Sequence, residues 1–582
     1  MDAVLGFLLI ILPIITALVL LVFLKKAADV TGVIVWTMTM VIAIFAFQTD
    51  FMVAITSSIV GIVRSFPISL MVATSILMMT YMQETGALQR LIIFFKSLGG
   101  GSRPMQILII SFGLGLFLVG IGATPVSMLP PVMLALGFSP LVAVALPSIG
   151  YDPLTTYALL GVPVQVFTDV YSSVSGSVMN ELWFAGSVFA SFMPVVSVGI
   201  AISMLWIAGG KKLLLNKEGL LLAILSGVTA GITAIICNLE VVNLTRLTNV
   251  IAGAAVLGVL FLYNRIRKKS LVDRGQLDEK DLETEKTMNL WRASVPWVVL
   301  VILSLLTTLV EPLKNLLAVQ LDLVINFTQY QGADFVVRNL AISTKFLWQA
   351  YTLMLIATII SMPFFKNDKQ VLSNTFRKFI KRAPRPVLAA AIFFAMAEVM
   401  NFSGFIPDSV GVWVFPMDPT NNMVYLLASL TSASLGTAYP LTAAFLGLLA
   451  GFISGSETSA IAMFTNYHYQ ASVAIGANSV VVAASNGVGG GLASVLSPAK
   501  IQNAAAVIDE IGIEGDVIRY GLVVAILMTA CTSVMTMLWA FPLTPLSILI
   551  TASLILSVMI IGGLVYWIKR PNKIEKTTIH QS

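Results

Sequence analysis

The chain has 582 residues, 58% of them hydrophobic and only 11% charged, against about 25% charged in an ordinary soluble domain. One core in water cannot hide that much apolar surface, so lipid is the expected solvent for most of it. The net charge of +6 is modest and its basic residues fall in short clusters separated by apolar runs, which excludes nucleic-acid binding, while two lone cysteines, Cys237 and Cys531, exclude a disulfide scaffold and a cysteine metal site.

Residues 3–24 carry no charge and read as a first span. Asp2 stands where a signal peptide has a basic leader, and the apolar run exceeds a signal's core, so no cleavage is expected. Runs near 30–50 and 66–82 follow, then the stretch 104–183, which makes the crossings that parity leaves over, then runs near 184–208, 219–237 and 245–264. The polar segment 265–292, with DRGQLDEKDLETEK, reads as a cytoplasmic connector and not a folded domain, dividing a membrane half 1–264 from a membrane half 293–582. The second half offers spans near 294–313, 343–365, 517–541 and 543–568, with 387–516 making the remaining crossings. Basic clusters at Lys25–Lys26, Arg90 to Arg103, Lys211 to Lys217, Arg265–Lys269, Lys366 to Arg385 and Lys569–Lys576 mark the inner face. Parity then puts the N-terminus outside, the C-terminus in the cytoplasm, and the span number at an odd value of about 13. The expected fold is an all-α polytopic membrane protein; the short alternating segments of a barrel are lacking.

Each half contains an interrupted apolar segment: FLVGIGATPVSMLPPVMLALGFSPL (117–141) and FLGLLAGFISGSETSAIAMF (445–464). Both open on a glycine-rich run, break into small polar residues, and resume with a methionine-containing helix. Broken backbone inside a bilayer is tolerated only where it lines a cavity or binds something, and matching breaks in two halves point to a site between inverted-topology halves built from re-entrant hairpins. The free N–H groups and positive dipole end of a half-helix suit a carboxylate. A second polar segment follows each break, at 146–164 and 480–501, and reads as an unwound helix; the rival reading of Gly487, Gly489, Gly490 and Gly491 is close helix packing.

These stretches resemble the lactate permease family. The matching motifs are GFSPLVAVAL (137–146), LLGVPV (159–164), TKF (344–346), NFSG (401–404), SGSETSAIAMF (454–464), VVVAASNGVGGGLASVLSPAKI (480–501) with AAAV (504–507), and EGDVIRY (514–520), in the family's order over 105–525. The resemblance implies transport of lactate or glycolate by proton symport. Three departures mark a divergent member: the family's acid before the first break is replaced by Val119–Gly120, its Asn-Thr-Ala-Pro-like segment reads Tyr151–Asp152–Pro153–Leu154, and Glu457 stands where the family tends to have Asp.

The expected substrate contacts are Gly120, Gly122, Thr124, Ser454, Gly455, Ser456, Thr458 and Asn486, with Lys345 and Lys500 to neutralise a carboxylate. The hydroxyls among them are alternatively helix caps, and Lys500 is alternatively a cytoplasmic anchor. Glu457 and Asp152 are the expected proton carriers, since an ionisable group within a span is costly and usually functional. Asp152 is equally readable as a residue at a loop end before Pro153. Glu398, Asn401 and His468 are further polar positions in apolar context, each also readable as a packing residue.

No phosphate-binding loop, zinc histidine pair or nucleophile–His–acid grouping occurs, so neither an enzyme nor an ATP-driven pump is expected, and no cofactor or metal. The expected partners are a small organic anion, a proton and the lipid bilayer, with a homo-oligomer left open. The leading expectation is proton-coupled carriage of L-lactate, glycolate or D-lactate across the plasma membrane by alternating access. The alternative is another small organic anion, with sodium as the coupling ion.

Overall fold

The computed structural model describes residues 3–542 apart from 21–23, 25, 27, 99–101, 123–124, 177–180, 269–273, 318–321, 332–333, 344–345, 367, 498–499, 502–503, 506–507, 509 and 511–512. The expected last span at 543–568 therefore lies outside the described residues. Among those described, nine helical segments are long and apolar enough to cross a membrane. The longest are Phe51–Glu84, Leu182–Leu214 and Lys369–Asn401. The first of these starts well before the expected 66–82, because the helix carries through the polar stretch around Arg64 and Ser65 that masked it in the sequence.

In the first half, the helix that starts at Arg103 runs through a π-helical turn, Leu108–Gly113, and ends at Gly120. A second helix, Pro125–Ala135, doubles back beside it. The Arg103 guanidinium fixes this return: Nη1 donates to Leu136 O at 3.1 Å and the group sits 4.7 Å from the centre of the Phe138 ring. The chain then forms Pro140–Ile149, a 3-10 turn at Asp152–Tyr157, and a helix ending at Ser175, before the 33-residue helix Leu182–Leu214.

The second half repeats this order. Helix Pro440–Ser454 meets Glu457–Ala474, which doubles back so that His468 Nδ1 lies 2.6 Å from the hydroxyl of Tyr439. Ser479–Gly491 follows, then a 3-10 turn at Ser494–Leu496, then the long helix Glu514–Trp539. The two long helices are antiparallel neighbours: Phe192 meets Trp539 edge to face with ring centres 4.8 Å apart, and Trp206 lies tilted against Tyr520 at 6.0 Å.

One expectation needs correction. The glycines of 480–501 are not unwound but helical, through Gly491. Their role is close packing: a Cβ on Gly489 would collide with Ala444 O, one on Gly451 with Gly490 O, and one on Gly447 with Asn486 O. Unwinding begins only after them, at Leu492. The polar connector 265–292 is not wholly without structure, since it contains the helix Glu279–Thr287, closed by an Asp278–Asp281 capping box. Lys96 Nζ lies 2.5 Å from Asp281 Oδ2, and Arg90 Nη2 lies 3.1 Å from Glu285 Oε1, which docks this helix on Ala87–Ser97.

The described residues are predominantly helical, as expected, and one small sheet lies beside the helices. Residues Asp322–Gln331 (β1) and Asp334–Ser343 (β2) form an antiparallel hairpin, with Asn326 opposite Asn339. Two short strands, Ile406–Pro407 (β3) and Trp413–Val414 (β4), extend it in the order β2-β1-β4-β3. Ile325 and Phe327 pack with Phe402, Phe405, Trp413 and Phe415. The alternation in LVINFTQY is a period-2 signal that a reading tuned to 20-residue spans passes over.

Candidate functional site

The second break is made by two residues. Gly455 takes a left-handed conformation (φ 70°) and its N–H donates to Gly451 O at 2.8 Å, which ends one helix. Ser456 is extended and its hydroxyl accepts from Ser459 N at 3.4 Å, which starts the next. Glu457 is thus the first residue of a helix, near the free N–H groups and the positive dipole end. It is only 3% exposed.

The first-half unwound segment supplies its neighbours. Thr156 Oγ1 donates to Glu457 Oε1 at 2.7 Å. Room for the carboxyl comes from Gly491, where a Cβ would stand 2.7 Å from Glu457 Oε2 and 3.2 Å from Thr155 Cβ. Asp152 opens the same 3-10 turn and is 4% exposed. Lys500 interacts electrostatically with both Asp152 and Glu457, donates to Ser494 Oγ at 3.0 Å, and lies 4.6 Å from the centre of the Tyr151 ring. The Asp152 carboxyl faces the Ser494 hydroxyl and the Val495 N–H, while Glu457 Oε2 is buried without a hydrogen-bond partner among the described residues. Buried carboxyl oxygens are rarely left in that state.

Backbone groups freed by the unwinding are answered by side chains from outside it. Ser197 Oγ donates to Pro153 O and Asn249 Nδ2 to Leu154 O, each at 3.3 Å. The chain then turns through Leu159 (φ 54°), Leu160 (φ 58°) and Gly161 (φ 77°) before continuing as a helix. Two consecutive leucines in the left-handed region cost about 1–2 kcal/mol each, and such strain concentrates at functional places.

Of the expected site residues, Glu457, Asp152, Lys500 and the Gly455–Ser456 break come together; a Cβ on Gly455 would stand 2.9 Å from Ser497 Oγ, in the second unwound segment. Ser456 serves as a helix cap, the alternative reading of its hydroxyl. Thr458 is buried in the same first turn. Ser454 ends the preceding helix. Asn486 instead ties two helices together, donating to Ala460 O at 3.0 Å. Gly120 and Gly122 lie elsewhere: Gly120 abuts Val250, and Gly122 (φ 82°) faces Met354, Met71 and Leu159. Thr124 and Lys345 fall outside the described residues.

The sequence reading missed Thr156, Ser494 and Gly491 as neighbours of the acids. It also missed Arg246, which is buried beside the left-handed turn, donates to Gln165 Oε1 at 2.8 Å and stacks 4.1 Å above the Trp348 ring. A lone arginine in VVNLTRLTNVIAG was the available signal.

Beside this geometry stands a likeness in sequence to known proteins. The sequence pattern of the L-lactate permease family fits residues 6–543. The chain belongs to this family. Among curated relatives, an L-lactate permease of Salmonella typhimurium is 26% identical over 76% of this chain and 78% of its own length. The Glycolate permease GlcA of Escherichia coli is 24% identical over 92% of this chain and 95% of its own. An L-lactate permease of Bacillus subtilis is 23% identical over 86% and 89%. Family membership together with the apolar helices makes this a multi-pass membrane protein and a transporter rather than an enzyme.

Proposed function

We propose that the chain carries small monocarboxylates, L-lactate first and glycolate or D-lactate besides, across the plasma membrane in symport with protons. The observation that carries this reading is the gathering of two buried acids, Asp152 and Glu457, with the half-buried Lys500 at the second break. The substrate carboxylate sits between Lys500 and the helix start at Glu457, and Thr156 and Ser494 lie within reach of a 2-hydroxyl. The names of the relatives, lactate and glycolate permeases, support the substrate class.

Charge bookkeeping supports the proton. With both acids ionised and Lys500 charged, the cluster carries one net negative charge. An incoming anion adds another, at a cost of several kcal/mol at short range and reduced dielectric. A proton on Glu457 or Asp152 restores the starting charge, so anion and proton enter together. On this reading two inverted-topology halves, each with a re-entrant hairpin and a broken helix, rock around the cluster. This reading places the N-terminus outside and the C-terminus in the cytoplasm, with an odd number of spans near 13.

The test is uptake of labelled L-lactate into proteoliposomes with an inward proton gradient. Accumulation is expected to collapse with a proton ionophore. Glu457→Gln should abolish gradient-driven accumulation and keep lactate–lactate exchange, since exchange needs no net proton movement. Uptake indifferent to the ionophore would refute proton coupling.

A second reading is favoured by one observation, the valine at position 119 where the family usually has an acid. It makes the chain a carrier for a different small organic anion, with sodium in place of the proton. Competition by a panel of acids, with each ion gradient in turn, separates the two.

A further inference from the structure

A second polar cluster lies away from Glu457. A cavity of about 60 Å³ is lined by Arg64, Glu398, Asn401, Asn466 and Gln470 and walled by aromatic rings, Phe327 of β1 among them. Arg64 is ion-paired with Glu398. Asn401 Nδ2 approaches Glu398 Oε2 at 3.4 Å, and Asn466 Nδ2 donates to Asn401 Oδ1 at 3.1 Å. An ion pair in an apolar helical body costs more in desolvation than an apolar pair of the same size, and charges kept within spans mark binding sites or pathways.

The cavity is separate from the cluster at the break. Asn466 follows Glu457 by nine residues on one helix, which is about 13 Å along the axis and half a turn round it. The helix that begins at Glu457 therefore has the acid cluster on one face and this cavity on the other.

We propose that the cavity is a second binding site for a 2-hydroxymonocarboxylate. Its fittings match that class group by group. Arg64 offers a guanidinium for the carboxylate. Glu398 is the internal carboxylate that holds the guanidinium in place, and it becomes the acceptor for the ligand's 2-hydroxyl as the ligand's own carboxylate takes over part of the arginine. The amides of Asn401 and Asn466 supply further donors, and the rings of Phe327, Phe402 and Tyr425 cover the alkyl end. An inorganic anion would use only the arginine, and a carboxylate without a hydroxyl would leave Glu398 without the added donor. The substrate class rests on the reading given above, but the residues do not.

The measurement is equilibrium binding of labelled L-lactate to the purified full chain in nanodiscs, read as lactates bound per chain. Two are expected in the unmodified protein. The paired change Arg64→Gln with Glu398→Gln removes both charges together, so no buried charge is stranded, and is expected to abolish one of the two or weaken it about 10- to 100-fold. Lys500→Gln is expected to abolish the other. Asn466→Phe fills the cavity without touching the ion pair and should remove the same site as the paired change, which covers the case in which the pair fails to fold. Propionate, lacking the hydroxyl, should compete more weakly than lactate for this site. One lactate per chain, lost with Lys500→Gln and kept with both cavity variants, overturns this inference and leaves the reading of the break intact. One lactate lost with the cavity variants and kept with Lys500→Gln supports this site and overturns the other.

Discussion

At the first break the chain leaves its helix at Gly120 and turns at Gly122 against Met354, Met71 and Leu159; at the second it turns at Gly455 against Ser497 and resumes at Glu457, whose carboxyl reaches Thr156. Both breaks use a glycine in a left-handed conformation. Their surroundings differ in kind. The first is closed by flexible apolar side chains, the second by an acid, hydroxyls and a lysine. A helix start is a place where an anion can be held, but the residues around it decide whether one is. The valine at position 119, in place of an acid, agrees with an apolar first break.

The sharpest way to break this comparison is to add one methyl group to each side. In Gly491→Ala the new Cβ would press on Glu457 Oε2 at 2.7 Å. Lactate uptake is expected to fall about 10- to 100-fold, as misplacing a positioned group by a fraction of an ångström to 1 Å does, while the protein still assembles. In Gly122→Ala the residue must hold φ 82°, at a cost of about 1 kcal/mol, and its neighbours Met354 Cε and Met71 Cε are free ends that can move aside. A lower melting temperature with less than about a tenfold loss of uptake is expected. Equal losses of uptake in the two variants would mean that the breaks share one role.

A smaller effect tests whether the glycines near the second break serve packing. In Gly447→Ala the methyl group meets Asn486 O, which is backbone and cannot swing away. Helix separation should cost about 1–3 kcal/mol of stability, visible as a lower melting temperature in detergent. A variant as stable as the parent would return Gly487 to Gly491 to a role in the site.

Much of this was legible in the sequence. The breaks declared themselves through glycine and proline in otherwise apolar runs, and Glu457, Asp152 and Lys500 through charge where charge is costly. Three things were not. Helical glycines and unwound glycines have the same letters, and only the close backbone of Ala444, Gly447 and Gly451 distinguishes them. Gly120 and Gly455 were both expected as substrate contacts because both flank a break, yet which side chains face each break is set by tertiary packing. Arg64 and Glu398 stand 334 residues apart, and no local pattern announces such a pair.

The helix Glu279–Thr287 gives the mildest contrast with the apolar helices, since it is held by polar contacts, its cap and its ion pairs to Arg90 and Lys96. Asp278 caps it, accepting from Asp281 N at 2.8 Å, and this bond holds the Asp278 carboxyl below the usual aspartate range. A folded value below the unfolded one means that the cap stabilises fully above the ordinary aspartate value of about 3.9, and that the contribution fades as pH falls through the lower folded value. Amide exchange of residues Glu279–Thr287, corrected for the intrinsic rate, should therefore show protection that is flat with respect to this group from about pH 5 to 8. Asp278→Ala should reduce that protection across the whole interval and leave lactate uptake close to that of the parent. Protection that fell between pH 8 and about 5 in the parent and not in Asp278→Ala would show the carboxyl titrating above its ordinary range, and the capping account would be wrong.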